Sequence, residues 1–274
     1  MYQRRDGPGS HYNVGLLPAG QSDRVDVVLV SPRNPLNTGA AARAMANFGF
    51  TRLTVVAPYG PHWREARSAV GAPQLLEEAR ECNTLAEAIA DTTLVIGTGT
   101  LQSRRPKQPV VPLPELAPRV LQELAHDGRV ALVFGSEKHG LTRDDLAHCR
   151  LLVEIPTHAE QPSMNLGQAV AVCLYVLATA AILPASEPAK PTRANNTAAG
   201  PSTTSGNLDR LGILIEETMR AAGYSPRTMQ AANRHDLRLT LRRLNLNPAD
   251  TRRLFGLFRR IHWRLTRGDA SSAR

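Results

Sequence analysis

Residues 25–30 read VDVVLV, and this stretch decides the fold class. It is a continuous β-branched run, as expected for a strand that is buried on both faces of a sheet. Four similar stretches follow at intervals, with helical patterns between them, at 52–58, 93–99, 129–135 and 151–156. This alternation predicts an α/β fold in which helices cover both faces of a parallel sheet.

The predicted helices begin after a turn-rich stretch, SPRNPLNTG at 31–39. The last of them contains an apolar run at 169–183, AVAVCLYVLATAAIL, which is 15 residues long. A membrane-spanning helix needs about 20 such residues, so we interpret the run as a buried helix or one at a subunit interface. The predicted helices are 40–49, 73–81, 84–90, 115–126, 142–148 and 164–183.

Charge is distributed unevenly along the chain. The formal net charge is +9, yet residues 207–274 contain 14 Arg, no Lys and 6 acidic residues, a net charge of +8. The asymmetry predicts a polyanionic partner, either nucleic acid or an anionic membrane surface, unless the Arg content is only compositional. The apolar fraction of 42% supports a sizeable core, and the aromatic fraction of 4% makes that core aliphatic.

Cysteine usage and the N-terminal residues exclude several classes of protein. Cys82, Cys149 and Cys173 are far apart and form no CxxC pair. This excludes a disulfide framework and a zinc ribbon, and it favours a reducing compartment. Residues 1–23 have no apolar core of a signal peptide and are interpreted as a flexible tail. We expect a cytoplasmic protein with no metal and no membrane association.

Residues 184–206, PASEPAKPTRANNTAAGPSTTSG, have the composition of a linker. They divide a predicted domain at 24–183 from a small all-α extension at 207–274. Helices are predicted in that extension at 208–223, at 233–245 and from Asn247-Pro248 onward. On the third, an apolar face consists of Leu254, Leu257, Phe258, Ile261 and Leu265, beside a cationic line of Arg253, Arg260, Arg264 and Arg267.

Two phosphate-binding motifs are nearly present and both fail. Residues 135–142, GSEKHGLT, carry Leu141 where a P-loop needs its Lys. Residues 97–102, GTGTLQ, lack the third Gly of a dinucleotide fingerprint and follow the third strand instead of the first. Nucleotide hydrolysis and a Rossmann cofactor domain are therefore disfavoured.

Gly-rich or Pro-rich turns follow three of the later strands: 97–100, 135–137, and 155–156 leading to 162–165. Ligands of parallel sheets bind beyond the carboxyl ends of the strands. The three turns predict one pocket of backbone N–H and C=O groups that suits an adenine and a ribose, unless they are ordinary connections. Separately, Gly39 and Arg43 lie on one face of the first helix and could hold an anion there.

Three ordered stretches resemble the SpoU/TrmH group of SPOUT RNA 2′-O-methyltransferases: NTGAAARAMANFGF at 37–50, FGSEKHGL at 134–141 and IPTHAEQPSMNLGQAVA at 155–171. The resemblance covers about 24–183. It implies a SPOUT fold with a C-terminal trefoil knot, a homodimer, and S-adenosylmethionine as cofactor.

The extension is similar to that of TrmJ-type enzymes, which methylate the ribose of nucleotide 32 in the tRNA anticodon loop. The alternatives are 2′-O-methylation of another RNA site, tRNA position 34 or rRNA, and a non-catalytic RNA-binding protein of this fold. A membrane-surface role for the Arg-rich helix is a further alternative.

The resemblance also implies residue roles. Arg43 would orient the nucleotide and stabilise the developing alkoxide, and Glu137 would orient Arg43, hold RNA, or offset a helix dipole. Met164 replaces the Leu of many relatives. The implied catalytic residues are Arg43, Glu137, Ser163 and Asn165; the cofactor-binding residues are Thr98, Gly99, Thr100, Gly135, Ile155, Pro162, Ser163 and Met164; the RNA-binding residues are Asn37, Arg43, Arg253, Arg260 and Arg264.

Overall fold

The computed structural model describes residues 17, 20–66, 68–101, 104–180, 201–224 and 226–271. Within them, one seven-stranded sheet has the order β3-β2-β1-β6-β4-β7-β5, and every strand pair is parallel. The predicted parallel sheet is therefore confirmed. The strands are β1 Val25–Val30, β2 Arg52–Val56, β3 Arg80–Cys82, β4 Leu94–Thr98, β5 Val110–Pro112, β6 Val130–Phe134 and β7 Leu151–Glu154.

Helices lie on both faces of this sheet, as predicted. They are α1 Pro35–Phe48, α2 Pro73–Glu77, α3 Leu85–Ala88, α4 Leu116–Ala125, α5 Arg143–Ala147 and α6 Leu166–Thr179. Alternate residues of β1 belong to two different hydrophobic clusters, with Val27 and Leu29 in one and Val28 and Val30 in the other. This explains why the strand is apolar on both faces. Its charged residue, Asp26, is buried and pairs with Arg52 and Arg129.

Two edge strands, β3 and β5, were not predicted. Residues 80–81 were predicted to be helical but belong to β3, because α2 ends at Glu77. Both strands are three residues long, too short to show an alternating pattern. The first helix also begins earlier than predicted, at Pro35, because Asn34 caps it and the Pro occupies its first turn.

Three further helices follow the described residues 201–204: α7 Ser205–Ala221, α8 Gln230–Arg243 and α9 Pro248–Ser271. Gly223 adopts φ +67° just after α7, and Asn247 Oδ1 accepts from the N–H groups of Ala249 and Asp250 at 2.8 and 2.9 Å. Both predicted helix boundaries are thus observed. Residues 1–16, 18 and 19 of the predicted tail and residues 184–200 of the predicted linker lie outside the described residues. In the rest of the predicted tail, Leu17 is buried in the main hydrophobic cluster, and a short 3-10 helix begins at Ser22.

The apolar face of α9 differs from the prediction. Leu254, Phe255 and Phe258 pack against the buried cluster of α7 and α8, whereas Leu257 is 54% exposed. Phe255 therefore takes the place that was assigned to Leu257. Only one side of α9 faces α7, and Leu257 lies outside that side. Ile261, also assigned to this face, is exposed.

Helices α7 and α8 pack on the sheet domain through a buried polar interface. Arg242 on α8 is 2% exposed, and its guanidinium donates to Asp209 Oδ1 at 2.8 Å, to the His148 carbonyl at 3.2 Å and to the Ser205 carbonyl at 3.4 Å. Burial, together with the charges of Arg238 and Arg242, lowers the pKa of His148 to about 3. The imidazole is therefore neutral at pH 7 and adds no second charge.

We predict that Arg242→Ala destabilises the protein by about 3–5 kcal/mol, because it leaves the Asp209 carboxylate and two carbonyls without their donor. Urea unfolding measures the loss. Arg243→Ala is the matched control, since Arg243 is the next residue of the same helix and is exposed. Equal free energies of unfolding for the two variants would contradict the assigned role of Arg242.

Candidate active site

The turns after β4 and β7 are in direct contact. Thr100 Oγ1 donates to the Pro162 carbonyl at 3.1 Å, and the Leu101 N–H donates to Glu154 Oε1 at 3.1 Å. A second hydroxyl, from Thr157, donates to the same Pro162 carbonyl at 3.3 Å. Two of the three turns that sequence reasoning grouped therefore meet at the carboxyl edge of the sheet.

The turn after β6 is joined to the loop after β4 by Arg104. Its guanidinium donates to the His139 carbonyl at 2.8 Å and also to the Leu141 carbonyl. The structure thus brings all three turns together, as predicted. Sequence reasoning missed Arg104, because it lies in a basic stretch with no pattern that distinguishes it from its neighbours.

Gly135 is required by the close approach of two backbone segments. A Cβ at this position would lie 2.0 Å from the Gly140 carbonyl carbon and 2.1 Å from the Leu141 nitrogen. Residues 136 and 140 form an isolated bridge, so the loop folds back on itself. This need for a compact loop explains a Gly-rich stretch that resembles a P-loop without its Lys. At Gly99, by contrast, the nearest atom would be 3.9 Å away.

The residues predicted to bind the cofactor differ in what they expose. Thr98 is buried and its Oγ1 donates to the Val133 carbonyl at 3.0 Å, so only its backbone is available to a ligand. Pro162, Ser163 and Met164 are exposed, and Ile155 is half-buried. The turns therefore offer mainly backbone groups with a few exposed side chains, which suits the adenine and ribose of a nucleoside.

A chain of side-chain hydrogen bonds connects the three motif stretches, and we call it the amide–carboxylate relay: Asn165, Asn37 and Glu137. Asn165 Oδ1 accepts from the N–H groups of Gly167 and Gln168 at the start of α6, so its amide group must point away from them. That group donates to Asn37 Oδ1 at 2.9 Å, and Asn37 Nδ2 donates to Glu137 Oε1 at 2.8 Å. The relay therefore has a fixed donor order that ends on a carboxylate.

Glu137 also accepts two backbone hydrogen bonds, from the N–H of Arg33 at 2.9 Å and from that of Asn34 at 3.1 Å. Partial desolvation would raise the pKa of Glu137, but the side-chain donor Asn37 and these backbone donors hold that pKa below its usual value. The carboxylate is therefore ionised at neutral pH and fixes the loop that leads into α1.

The relay corrects one expectation for Glu137. Its carboxylate hydrogen-bonds to Arg33, Asn34 and Asn37, and the described residues give it no contact with Arg43. The space beside Gly39, where an anion was expected to approach the backbone, is also occupied by other residues of this chain. A Cβ there would lie 2.2 Å from Ser68 Oγ and 2.9 Å from the Ala69 nitrogen, so this glycine packs against a neighbouring loop and does not open toward a ligand.

The cationic residues assigned to RNA are exposed. Arg43 lies on the outer side of α1 and forms no hydrogen bond or ion pair with any residue in the described part of the chain. Arg253 on α9 is within 3.5 Å of Asp250, and the guanidinium groups of Arg260 and Arg264 lie 5.4 and 5.9 Å from the Trp263 ring centre. These charges are free to meet an anionic partner.

A parallel sheet whose carboxyl edge carries backbone-lined turns and an adjoining side-chain relay fits the class of protein predicted above, a methyltransferase with a nucleoside cofactor. The chain belongs to the SpoU rRNA Methylase family, whose family model matches residues 24–175. Membership confirms the predicted enzyme class, an RNA methylase.

Several named relatives refine this relationship. The tRNA (cytidine/uridine/adenosine-2′-O-)-methyltransferase TrmJ of Pseudomonas aeruginosa is 40% identical over 169 residues, which are 61% of this chain and 65% of that protein. The tRNA (cytidine/uridine-2′-O-)-methyltransferase TrmJ of Klebsiella pneumoniae is 35% identical over 201 residues, 73% of this chain and 80% of that one. The predicted similarity to TrmJ-type proteins is confirmed, although the match to the Pseudomonas protein spans just under two thirds of its length.

A solved structure agrees over a larger share of the chain. The crystal structure of TrmJ from Z. mobilis ZM4 has a TM-score of 0.72 and 29% sequence identity, and the match covers 86% of this chain and 98% of that one. Among the residues that the structure describes, no helix is long and apolar enough to cross a membrane. The same residues contain no cluster of three or more His, Cys, Asp or Glu side chains that could hold a metal ion.

We predict that Glu137→Gln is less stable than the wild type at about pH 6 and that the difference shrinks as the pH falls. Because the pKa of Glu137 is depressed in the folded protein, its contribution is present above about pH 4.3 and is lost as the pH falls through the folded-state pKa. Urea unfolding across this pH range measures the effect.

Glu115→Gln is the control for this prediction, since Glu115 is exposed and has no polar side-chain contact among the described residues. It should show no stability difference from the wild type at any of these pH values. A Glu137→Gln difference that stays constant with pH would show that the ionised carboxylate does not stabilise the relay.

Proposed function

We propose that this chain is an S-adenosylmethionine-dependent methyltransferase that methylates the ribose 2′-OH of tRNA, at nucleotide 32 of the anticodon loop. The observation that carries the proposal is the amide–carboxylate relay, which joins the three motif stretches beside α1. This helix presents Arg43, which has no hydrogen bond or ion pair within the described residues. The names of the TrmJ relatives support the tRNA substrate and the 2′-O position. Nucleotide 32 rests on the resemblance of the extension.

The cofactor supplies a methyl group on a sulfonium, which is already electrophilic. The protein must therefore position the ribose 2′-OH and stabilise the negative charge that develops on its oxygen. The exposed backbone of residues 162–164 and the turn at 98–100 would hold the nucleoside. The relay would keep Asn165 in one orientation beside it, and such positioning contributes several kcal/mol to catalysis.

Arg43 would act electrostatically. A guanidinium stays protonated at neutral pH, so it is a poor general base and a good partner for a developing alkoxide or an adjacent phosphate. Its lack of an intramolecular acceptor among the described residues supports this role, because the charge is not already neutralised. Ser163 is exposed in the third turn and would hydrogen-bond the ribose.

We predict that Arg43→Ala lowers methyl transfer to tRNA at least a hundredfold, because removal of one oxyanion-stabilising donor has about this effect. S-adenosylmethionine affinity, measured by isothermal titration, should change less than about twofold. Transfer is measured with labelled cofactor, and mass spectrometry of digested tRNA identifies the modified nucleotide. Arg119→Ala, which removes an exposed charge from α4, is the control and should leave transfer unchanged.

Retention of near-normal turnover in Arg43→Ala would overturn the role of this residue. If the 2′-O-methyl group is found at another tRNA position, the proposed reaction stands and nucleotide 32 is replaced by that position. Binding of S-adenosylmethionine without transfer to any RNA would instead favour a non-catalytic protein.

Two structural features belong to this proposal. A trefoil knot is supported by the strand order, since β6 lies between β1 and β4 and β7 lies between β4 and β5.

A homodimer is supported by the outer side of α6, where Tyr175 is 55% exposed and contacts the Phe48 ring edge-on at 6.0 Å. Val172, one turn away on the same helix, is also partly exposed, and a contiguous exposed apolar patch is typical of a covered interface. Residues 24–183 would form the catalytic domain, in the cytoplasm, without a metal or a membrane.

The α9 arginines would bind the tRNA backbone and leave the chemistry to the sheet domain. Their exposure and their excess over acidic residues support this division of roles. Deletion of 207–274 is a poor test, because it would also expose the buried interface around Arg242. Surface substitutions test the charge alone.

We predict that the triple variant Arg253→Ala, Arg260→Ala, Arg264→Ala binds tRNA more weakly and with a shallower salt dependence. Each lost phosphate contact reduces the slope of log affinity against log salt by about 0.7–0.9. Filter binding at several salt concentrations measures this slope. The triple Lys variant keeps the charge and should keep most of the slope, whereas an unchanged slope in the Ala variant would exclude these residues from phosphate contact.

A further inference from the structure

An exposed aromatic residue lies at the same edge of the sheet and has no role in the proposed chemistry. Tyr59 follows β2 and is 73% exposed, the highest value among the large hydrophobic residues that the structure describes. The guanidinium carbon of Arg33 lies 4.6 Å from the centre of its ring. A single exposed aromatic needs no explanation, but an aromatic ring paired with a free cation is a recurrent nucleic-acid-binding arrangement.

Backbone hydrogen bonds fix this pair in place. The Tyr59 N–H donates to the Pro32 carbonyl at 3.2 Å, and the Ser31 N–H donates to the Val56 carbonyl at 2.8 Å. The loops after β1 and β2 are therefore bound to each other, and neighbouring Ser31 and Ala57 both adopt positive φ. Tyr59 is thus presented on a braced loop although its side chain is open to solvent.

The pair adjoins the amide–carboxylate relay. The N–H of Arg33 donates to Glu137 Oε2 at 2.9 Å, so the residue that covers one side of Tyr59 is anchored to the relay through its backbone. Along the carboxyl edge of the sheet, β1 lies between β2 and β6. A substrate that reaches the relay from this side passes Tyr59 and Arg33.

We propose that Tyr59 and Arg33 form a stacking site for an unpaired nucleobase of the RNA that flanks the methylated ribose, with the Arg33 guanidinium also near a phosphate. The inference rests on the proposed function for the identity of the RNA. An unpaired base can lie flat on an aromatic ring, whereas bases in a duplex are stacked on each other and cannot. The pair would therefore select single-stranded loops over paired RNA.

The test compares the affinities of purified full-length variants for two labelled RNAs, measured by fluorescence anisotropy. One is an unmodified tRNA transcript and the other is a fully paired RNA duplex of similar size. Tyr59→Ala should bind the tRNA about tenfold more weakly and the duplex with unchanged affinity. Tyr59→Phe keeps the ring and should bind both RNAs as the wild type does. Arg33→Ala should weaken tRNA binding by a smaller factor, and Arg119→Ala is its charge-matched control.

Activity separates this inference from the proposed function. Tyr59→Ala should raise KM for tRNA and leave kcat and S-adenosylmethionine affinity within about twofold. The stacking site is overturned if Tyr59→Ala binds tRNA with wild-type affinity, or if its affinity for the duplex falls by the same factor. It is also overturned if light scattering shows that the variant differs from the wild type in molecular mass. If the wild type transfers no methyl group but the Tyr59→Ala difference in tRNA binding persists, the proposed function fails and the stacking site stands.

Discussion

The carboxylate of Glu137 is the interaction on which the arrangement of the site depends. It accepts from two backbone amides before α1 and from Asn37 within it, and Asn37 accepts from the residue that caps α6. Segments about 100 residues apart in sequence are thereby fixed to one anionic group. Hydrogen bonds to a charged acceptor contribute more than neutral ones, and removing the acceptor leaves several donors unpaired at once. The site is therefore held together by hydrogen bonds that converge on one charged group.

Most of the sheet could be predicted from the sequence, because its central strands are buried on both faces and read as unbroken apolar runs. β3 and β5 could not, since three-residue edge strands contain neither an alternation nor a run. The grouping of three turns followed from the rule that ligands bind at strand carboxyl ends. The relay could not be predicted in this way, because no spacing in the sequence specifies that Asn37 accepts a hydrogen bond from Asn165 and donates one to Glu137. Resemblance supplied those residues but not their contacts.

The arginines of the C-terminal helices show a related limit of sequence reasoning. Counting charges treated all 14 as one cationic surface. In the structure, Arg242 is buried and donates to the His148 carbonyl of the sheet domain and to Ser205 and Asp209 of α7, whereas Arg243 beside it is exposed. Charge composition reports how many cations a segment has, but burial decides which of them can meet an external anion. The helices are consequently a docked part of the molecule, and their exposed arginines have a defined orientation relative to the turns.

The carboxyl edge of the sheet divides into two chemically different halves. At the ends of β4, β6 and β7, glycines and a buried Thr98 leave mainly backbone groups, which suit a small ligand of fixed shape. At the ends of β1 and β2, longer side chains project, with Arg33 and Tyr59 exposed beside the relay. A polymeric substrate needs adaptable contacts, because its bases and phosphates vary in position, whereas a cofactor does not. Glu137 lies where the two halves meet, and the proposed methyl transfer from cofactor to polymer would take place at this boundary.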